Sequence, residues 1–180
     1  DCLALGIATH LVSSDDMDEI EGALHKTDLT NQAHFAIDSI LDSYKLAVEE
    51  TPIYDMRSEI ERCFSANSIE EIIDRLRGAS TEFSDRALET LSTKSPTSLK
   101  VTLEQIRRGG AAKNFAETMQ MEYRMSQHFA LGHDFPEGVR ALLVDKDHKP
   151  KWNPNTLEDV SDGFVKSYFD PVKWGDLCIS

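Results

Sequence analysis

The sequence predicts a chain that is all-α or nearly so, and three observations carry that reading. Apolar residues recur at i, i+3, i+4 and i+7, most cleanly at Ile69, Ile72, Ile73 and Leu76, which lays one apolar stripe along a helix. Several stripes start just after a residue able to cap a helix, as at Ser68, Ser95-Pro96 and Asp134. No segment sustains the period-two alternation of a half-buried strand.

Taken in order, Leu3, Leu5 and Ile7 read as the end of a helix that runs into a short extended piece, Ala8 to Val12. Ser13-Ser14-Asp15-Asp16 is a helix start, and Met17, Ile20 and Leu24 follow at helical spacing. Ala33, Ile37, Ile40 and Leu41 form the next stripe, which ends near Tyr44. Ala47 to Tyr54, with Glu49-Glu50-Thr51-Pro52, reads as a loop, so the expected organisation is one helical domain over 1–180 with a flexible stretch near 47–55. Ile60 and Phe64 sit four apart, and the Ile69 to Leu76 stripe is expected to stop at Gly78. Phe83, Ala87, Leu88 and Leu91 give another stripe. Ser95-Pro96 opens a helix whose buried face is Leu99, Leu103 and Ile106 and which Gly109-Gly110 ends. The following helix carries Phe115, Met119, Glu122, Tyr123, Ser126 and Phe129 and stops by Gly132. Asp134-Phe135-Pro136-Glu137 has the pattern of a capping box, with Phe135, Val139, Leu142 and Leu143 on one face. A last helix is expected between Thr156 and Phe169.

Composition narrows the function classes. A chain of 180 residues is long enough to bury roughly 70% of its unfolded surface. Its net charge of −13 argues against nucleic acid, whose phosphates need a Lys/Arg-rich face, and disfavours an anionic membrane surface. No apolar run reaches the ~20 residues of a membrane span, and no signal-peptide pattern is present. Cys2, Cys63 and Cys178 are odd in number and far apart, which fits free, buried thiols in a reducing compartment. The chain opens on Asp1 inside an apolar pattern without a cap, and so reads as a piece of a longer polypeptide.

No motif announces chemistry. His10, His25, His34, His128, His133 and His148 form no i, i+4 pair, so no metal site is expected, and His128 and His133 read as packing and capping residues. There is no GxSxG elbow, P-loop or GxGxxG. Glu59, Glu61, Glu70, Glu71 and Asp74 lie opposite the apolar stripes, as a solvated face should. Glu122 is the best-placed buried acid and is expected to make a structural hydrogen bond or a salt bridge with Arg124 or Arg140. Arg107-Arg108 and the Lys146, Lys149, Lys151 group are the basic concentrations, readable as an anion site or as helix-end charges favoured by the macrodipole.

Four blocks then carry a resemblance: Leu5 to Val12 (LGIATHLV), Cys63 to Ile73 (CFSANSIEEII), Ser95 to Gly109, and Met121 to Trp152 with MEYRMSQHF and DFPEGVRALLVDKDHKPKW. Together and in this order they resemble the C-terminal part of the 3-hydroxyisobutyryl-CoA hydrolases, within the crotonase (enoyl-CoA hydratase/isomerase) superfamily. The resemblance implies a mostly α fold class: the helical C-terminal region of a crotonase-like fold, without its N-terminal β/α spiral core. It implies hydrolysis of 3-hydroxyisobutyryl-CoA to 3-hydroxyisobutyrate and CoA in valine catabolism, with acyl-CoA as substrate and no separate cofactor. The family's oxyanion hole, and the Glu and Asp that do the hydrolysis, precede LGIATHLV, so no catalytic residue is carried over and this piece is expected to be inactive alone. Lys149 and Lys151, held by Pro150 and followed by Trp152, suit a CoA phosphate contact flanked by an aromatic ring.

The family implies the mitochondrial matrix in a eukaryote or the cytoplasm in a bacterium. Two other readings stand beside the hydrolase. One is a non-catalytic, hydrolase-like subunit of a larger assembly such as a mitochondrial ribosome. The other is a hydratase or isomerase, which is expected to lack the helical segment from Asp15 to Leu91. A homo-oligomer is left open. As a piece cut from its core, the chain is expected to expose the apolar faces of Leu3 to Val12 and of Phe135 to Leu143, which favours self-association unless the helices repack.

Overall fold

The computed structural model describes residues 1–48 and 51–178, so Glu49 and Glu50, within the expected loop near 47–55, lie outside the described residues. The described residues contain helices and turns and no strand. They group into two compact units, Asp1–Glu61 and Arg62–Ser180.

In the first unit, residues 1–7 carry the geometry of a helix end. Leu5 N–H donates to Asp1 O, Gly6 N–H to Leu3 O and Ile7 N–H to Cys2 O, and Gly6 takes the left-handed φ of 72° that such an end requires. Ser13 Oγ accepts from Asp15 N–H and opens a 3-10 turn, Ser14–Asp16, that leads into α1 (Met17–Lys26). Next come α2 (Ala33–Ser43) and the single turn α3 (Pro52–Asp55). The loop expected to reach residue 55 is therefore shorter, because Pro52 at the first helical position is already set in φ for a turn. Ile20 is buried, whereas Leu5, Ile7, Leu11 and Phe35 are exposed.

Helix α4 (Arg57–Phe64) spans the division, and α5 (Ile69–Ala79), α6 (Glu82–Ser92), α7 (Pro96–Ala111), α8 (Phe115–Leu131), α9 (Asp134–Val139) and α10 (Asp162–Ser167) belong to the second unit. Ser68, Thr81, Ser95, Asn114 and Ser161 each cap the helix that follows by accepting a backbone N–H. Two apolar clusters hold this unit. Cys63, Ala66, Ile69, Ile72 and Leu76 pack with partly buried side chains of α5, α6 and α7, while Val101, Met125, Val160, Val165, Tyr168 and Phe169 join α7, α8 and α10. Lys100 ties the two regions, pairing with Glu70 at 2.7 Å and donating to Val160 O at 3.1 Å.

Several expectations are corrected. Gly78 and Gly109-Gly110 lie inside helices. The stops come at Ser80, which turns left-handed at φ 51°, and at Ala112, which is extended. Ile106 is 66% exposed because it stands one turn beyond the last α7 residue packed on the first cluster, Leu103. Phe115 is also exposed, since the inward line of α8 is Met121, Met125 and Phe129. The last helix is shorter than expected because extended Ser161 caps it. Cys63 is fully buried as expected; Cys2 and Cys178 are exposed, being near the chain ends and outside both clusters.

Candidate functional site

The second unit contains a cavity of about 990 Å³ between α7, α8 and α9. Met125, Phe129, Val139, Leu142 and Leu143 supply an apolar wall, and Ser98, Thr102, Gln105, Glu122 and Ser126 a polar one. Glu122 accepts from Gln105 Nε2 at 2.6 Å. That is the structural hydrogen bond of the two expected alternatives; the salt bridge does not form, since Arg124 forks onto Asp176 at 2.7 and 2.5 Å and Arg140 turns to other carboxylates. Arg124 is two residues along the helix from Glu122, which puts it on another face. Phe135, Leu142 and Leu143 are exposed, as the sequence leads one to expect of this face.

The rim is built by two polar assemblies. In the first, Asp134 is not the expected helix cap. The backbone at His133 is already helical (φ −72°, ψ −44°), and no side-chain cap bond forms there. The buried Asp134 carboxylate instead accepts from Ser95 Oγ at 2.5 Å, from Asn153 N–H at 2.8 Å and from His133 Nδ1 at 3.1 Å. This fastens the start of α7, the start of α9 and the chain after Trp152 to one group.

The second assembly follows α9. Arg140 opens a wide π-type turn, Arg140–Val144, closed by Asp145 N–H on Arg140 O at 2.8 Å. Its guanidinium faces Glu137, Asp145 and Asp147. The Arg140 hydrogen bonds, followed by the Lys151 N–H, pull the Glu137 carboxyl from 4.5 down to about 2. The same contacts hold Arg140 above its usual value, and Asp147 is lowered, first by Arg140 and then by the Lys149 N–H. Because the folded value of Glu137 is depressed, its tether contributes fully above about 4.5 and is lost as pH falls through about 2. The Lys151 amide resonance, whose N–H Glu137 accepts at 2.7 Å, should therefore stay flat while ordinary carboxylates titrate and move only as pH nears 2. A midpoint near 4.5 in an NMR titration would show that no such tether exists in solution.

The three site residues named from sequence fall at this rim. Trp152 lines the cavity with Pro150, donates from Nε1 to Thr93 O at 3.1 Å and lies against Gly138. Lys149 and Lys151 are exposed, and neither lines the cavity. The other basic pair is committed to structure: Arg107 donates to Ala66 O at 3.0 Å, and Arg108 pairs with Glu104 and covers the Phe169 ring at 4.0 Å. His128 meets Asp170 O at 3.1 Å, and among the described residues no group of three or more His, Cys, Asp or Glu is placed to hold a metal ion. Among the described residues no helix is long and apolar enough to cross a membrane. Sequence reading missed Arg140 and Asp134 as organisers. The one available signal was Arg140 three residues after Glu137 on a helical pattern.

Compared with known proteins, residues 1–169 match the model of the enoyl-CoA hydratase/isomerase family. The chain belongs to that family. Among its curated relatives, the mitochondrial 3-hydroxyisobutyryl-CoA hydrolase of Gallus gallus is 43% identical over 98% of this chain and 46% of its own length. The Homo sapiens protein of the same description is 38% identical over 98% of this chain and 46% of its own length. The chain spans about half the length of the curated relatives it matches. The resemblance carried by the four sequence blocks thus holds. Two solved structures place the helices in a crotonase-type fold. A carnitinyl-CoA dehydratase from Mycobacterium thermoresistibile matches with TM-score 0.79 and 32% identity over 97% of this chain and 48% of that one. An enoyl-CoA hydratase from Rhodobacter sphaeroides 2.4.1 matches with TM-score 0.81 and 30% identity over 99% of this chain and 49% of that one. Its coverage takes in the segment from Asp15 to Leu91, which a hydratase was expected to lack.

Proposed function

We propose that this chain is the helical half of a CoA-thioester hydrolase that cleaves 3-hydroxyisobutyryl-CoA to 3-hydroxyisobutyrate and CoA, a step of valine catabolism. The observation that carries the reading is the identity of 38–43% along almost the whole chain to proteins described as that hydrolase. The hydrolytic groups belong to the other half of the longer protein, and this chain contributes a face for the substrate. Acyl-CoA is its small-molecule partner. The mitochondrial matrix is the location for a eukaryotic source and the cytoplasm for a bacterial one. Self-association of the isolated chain would use the exposed apolar faces at Leu5, Ile7 and Leu11 and at Phe135, Leu142 and Leu143.

Within this reading Lys149 and Lys151 meet the phosphates of CoA, and Trp152 fixes the rim beside them. The segment from Glu137 to Lys151 carries three carboxylates against four Lys and Arg cations, a local excess of positive charge in a chain of net charge −13. That excess suits an anionic substrate end.

The test compares the longer protein with this chain in a thioesterase assay on 3-hydroxyisobutyryl-CoA. The longer protein should be active and the chain silent. Lys149→Glu with Lys151→Glu in the longer protein should raise KM about tenfold, equivalent to about 1.4 kcal/mol of binding, with kcat nearly unchanged. An unchanged KM would return both lysines to a solvated surface. A second reading, an enoyl-CoA hydratase or isomerase, is favoured by the descriptions of the two structural neighbours at 30–32% identity. Hydration of an enoyl-CoA without thioester cleavage would select it. A folded longer protein silent in both assays would select a non-catalytic subunit.

A further inference from the structure

The loop that carries Lys149 and Lys151 is built around one guanidinium. Nε and Nη2 of Arg140 donate to the two oxygens of Glu137, each at 2.9 Å. Nη1 donates to Asp145 at 2.6 Å and Asp147 at 2.7 Å, and Nη2 also reaches Lys149 O at 3.2 Å. A guanidinium has five N–H donors, and the five bonds use the fork to its capacity. Two of the carboxylates extend its reach. Asp147 accepts the Lys149 N–H at 2.9 Å, and Glu137 accepts the Lys151 N–H at 2.7 Å. Every second residue from Asp145 to Lys151 is therefore tied to Arg140 directly or through one carboxylate.

The residues between them need that restraint. Lys146 and His148 both sit at φ 55°, the left-handed region that a side chain disfavours by about 1–2 kcal/mol per residue. Backbone bonds from Asp145 N–H to Arg140 O at 2.8 Å and from His148 N–H to Ala141 O at 3.1 Å add to the fastening of this stretch. The clasp also settles charge. The three acids near the lysines spend their ion pairs on Arg140. Among the described residues no carboxylate lies within ion-pair distance of Lys149 Nζ or Lys151 Nζ, although the Lys149 charge still helps to lower the Asp147 carboxyl.

We infer that Arg140 is a positioning residue for the substrate: it sets the 145–151 loop and draws off its carboxylates, so that Lys149 and Lys151 present free ammonium groups to the nucleotide phosphates of an acyl-CoA. The inference rests on the reading of these lysines as the CoA contact. It adds a residue that touches no substrate atom yet governs affinity for the nucleotide end. Lysine cannot replace it, because an ammonium lacks the planar fork that meets both Glu137 oxygens and two further carboxylates together.

The experiment uses the longer protein, with Arg140→Ala and Arg140→Lys; the lysine variant keeps the charge and serves if the alanine variant does not fold. Amide exchange over residues 145–151 should accelerate at least tenfold in both variants. KM for the acyl-CoA should rise about tenfold, with kcat within about twofold of the parent. KM for the matching acyl-pantetheine thioester, which has no nucleotide, should not move. Unchanged exchange in the loop would overturn the inference, as would full rescue by lysine. A loosened loop with unchanged KM, in a protein where Lys149→Glu with Lys151→Glu does raise KM, would also overturn it while sparing the CoA reading. If the lysine reversals are silent as well, the CoA reading falls and takes the inference with it.

Discussion

Leu76→Ala is expected to destabilise the 62–180 unit by about 2–5 kcal/mol, the range for truncating a fully buried leucine. Leu76 is 0% exposed, and its side chain is at the centre of the cluster that joins α5 to α6 and α7. Its neighbours Cys63, Ala66, Ile69 and Ile72 come from α4, the turn after it and α5, so no single helix can shift to refill the space. The loss therefore combines lost burial with a cavity that collapses only in part. Both tryptophans, Trp152 and Trp174, belong to this unit, so their fluorescence in a urea titration reports its stability directly. A change below about 1 kcal/mol would mean that the cluster is not the core.

Asp134→Ala is expected to cost about 3 kcal/mol, from at least two donors left without their acceptor at about 1–3 kcal/mol for each one buried. Asp134 is 7% exposed and accepts from Ser95 Oγ, which is itself 3% exposed, and from the Asn153 N–H. Ser95→Ala should cost less, about 1 kcal/mol, the usual loss for a helix cap, since Asp134 keeps its other two partners. Asp134→Asn should fall between them, because one amide oxygen remains to accept. The same urea titration ranks the three. If Asp134→Ala were no worse than Ser95→Ala, the carboxylate would be a spectator and the rim would be held by other contacts.

The two variants mark different degrees of legibility. Leu76 was readable because Ile69, Ile72, Ile73 and Leu76 repeat at the helix period after the cap Ser68, and both signals lie within one short window. The caps at Ser13, Ser68 and Ser95 were readable for the same reason. Asp134 was misread: three residues before Glu137 it has the spacing of a capping box, yet two of its three partners are 39 and 19 residues away and the third is its neighbour His133. Phe115 and Ile106 fit their stripes and are still exposed, because a stripe marks which side of a helix can be buried and not how far its neighbours extend. Gly78, Gly109 and Gly110 failed as stops because glycine permits a helix end without imposing one.

The sequence by itself determined the helical class, most helix starts, the α5 stripe of one apolar cluster and, through four blocks, the family. Those properties come from short-range spacing and from residue types, and both survive in the order of the letters. Only the tertiary structure decided which acid meets which base. It gave Glu122 to Gln105, Arg124 to Asp176, and three carboxylates to Arg140. Such a choice depends on where loops bring side chains many positions apart, and a guanidinium takes whichever carboxylates the backbone delivers within about 3 Å.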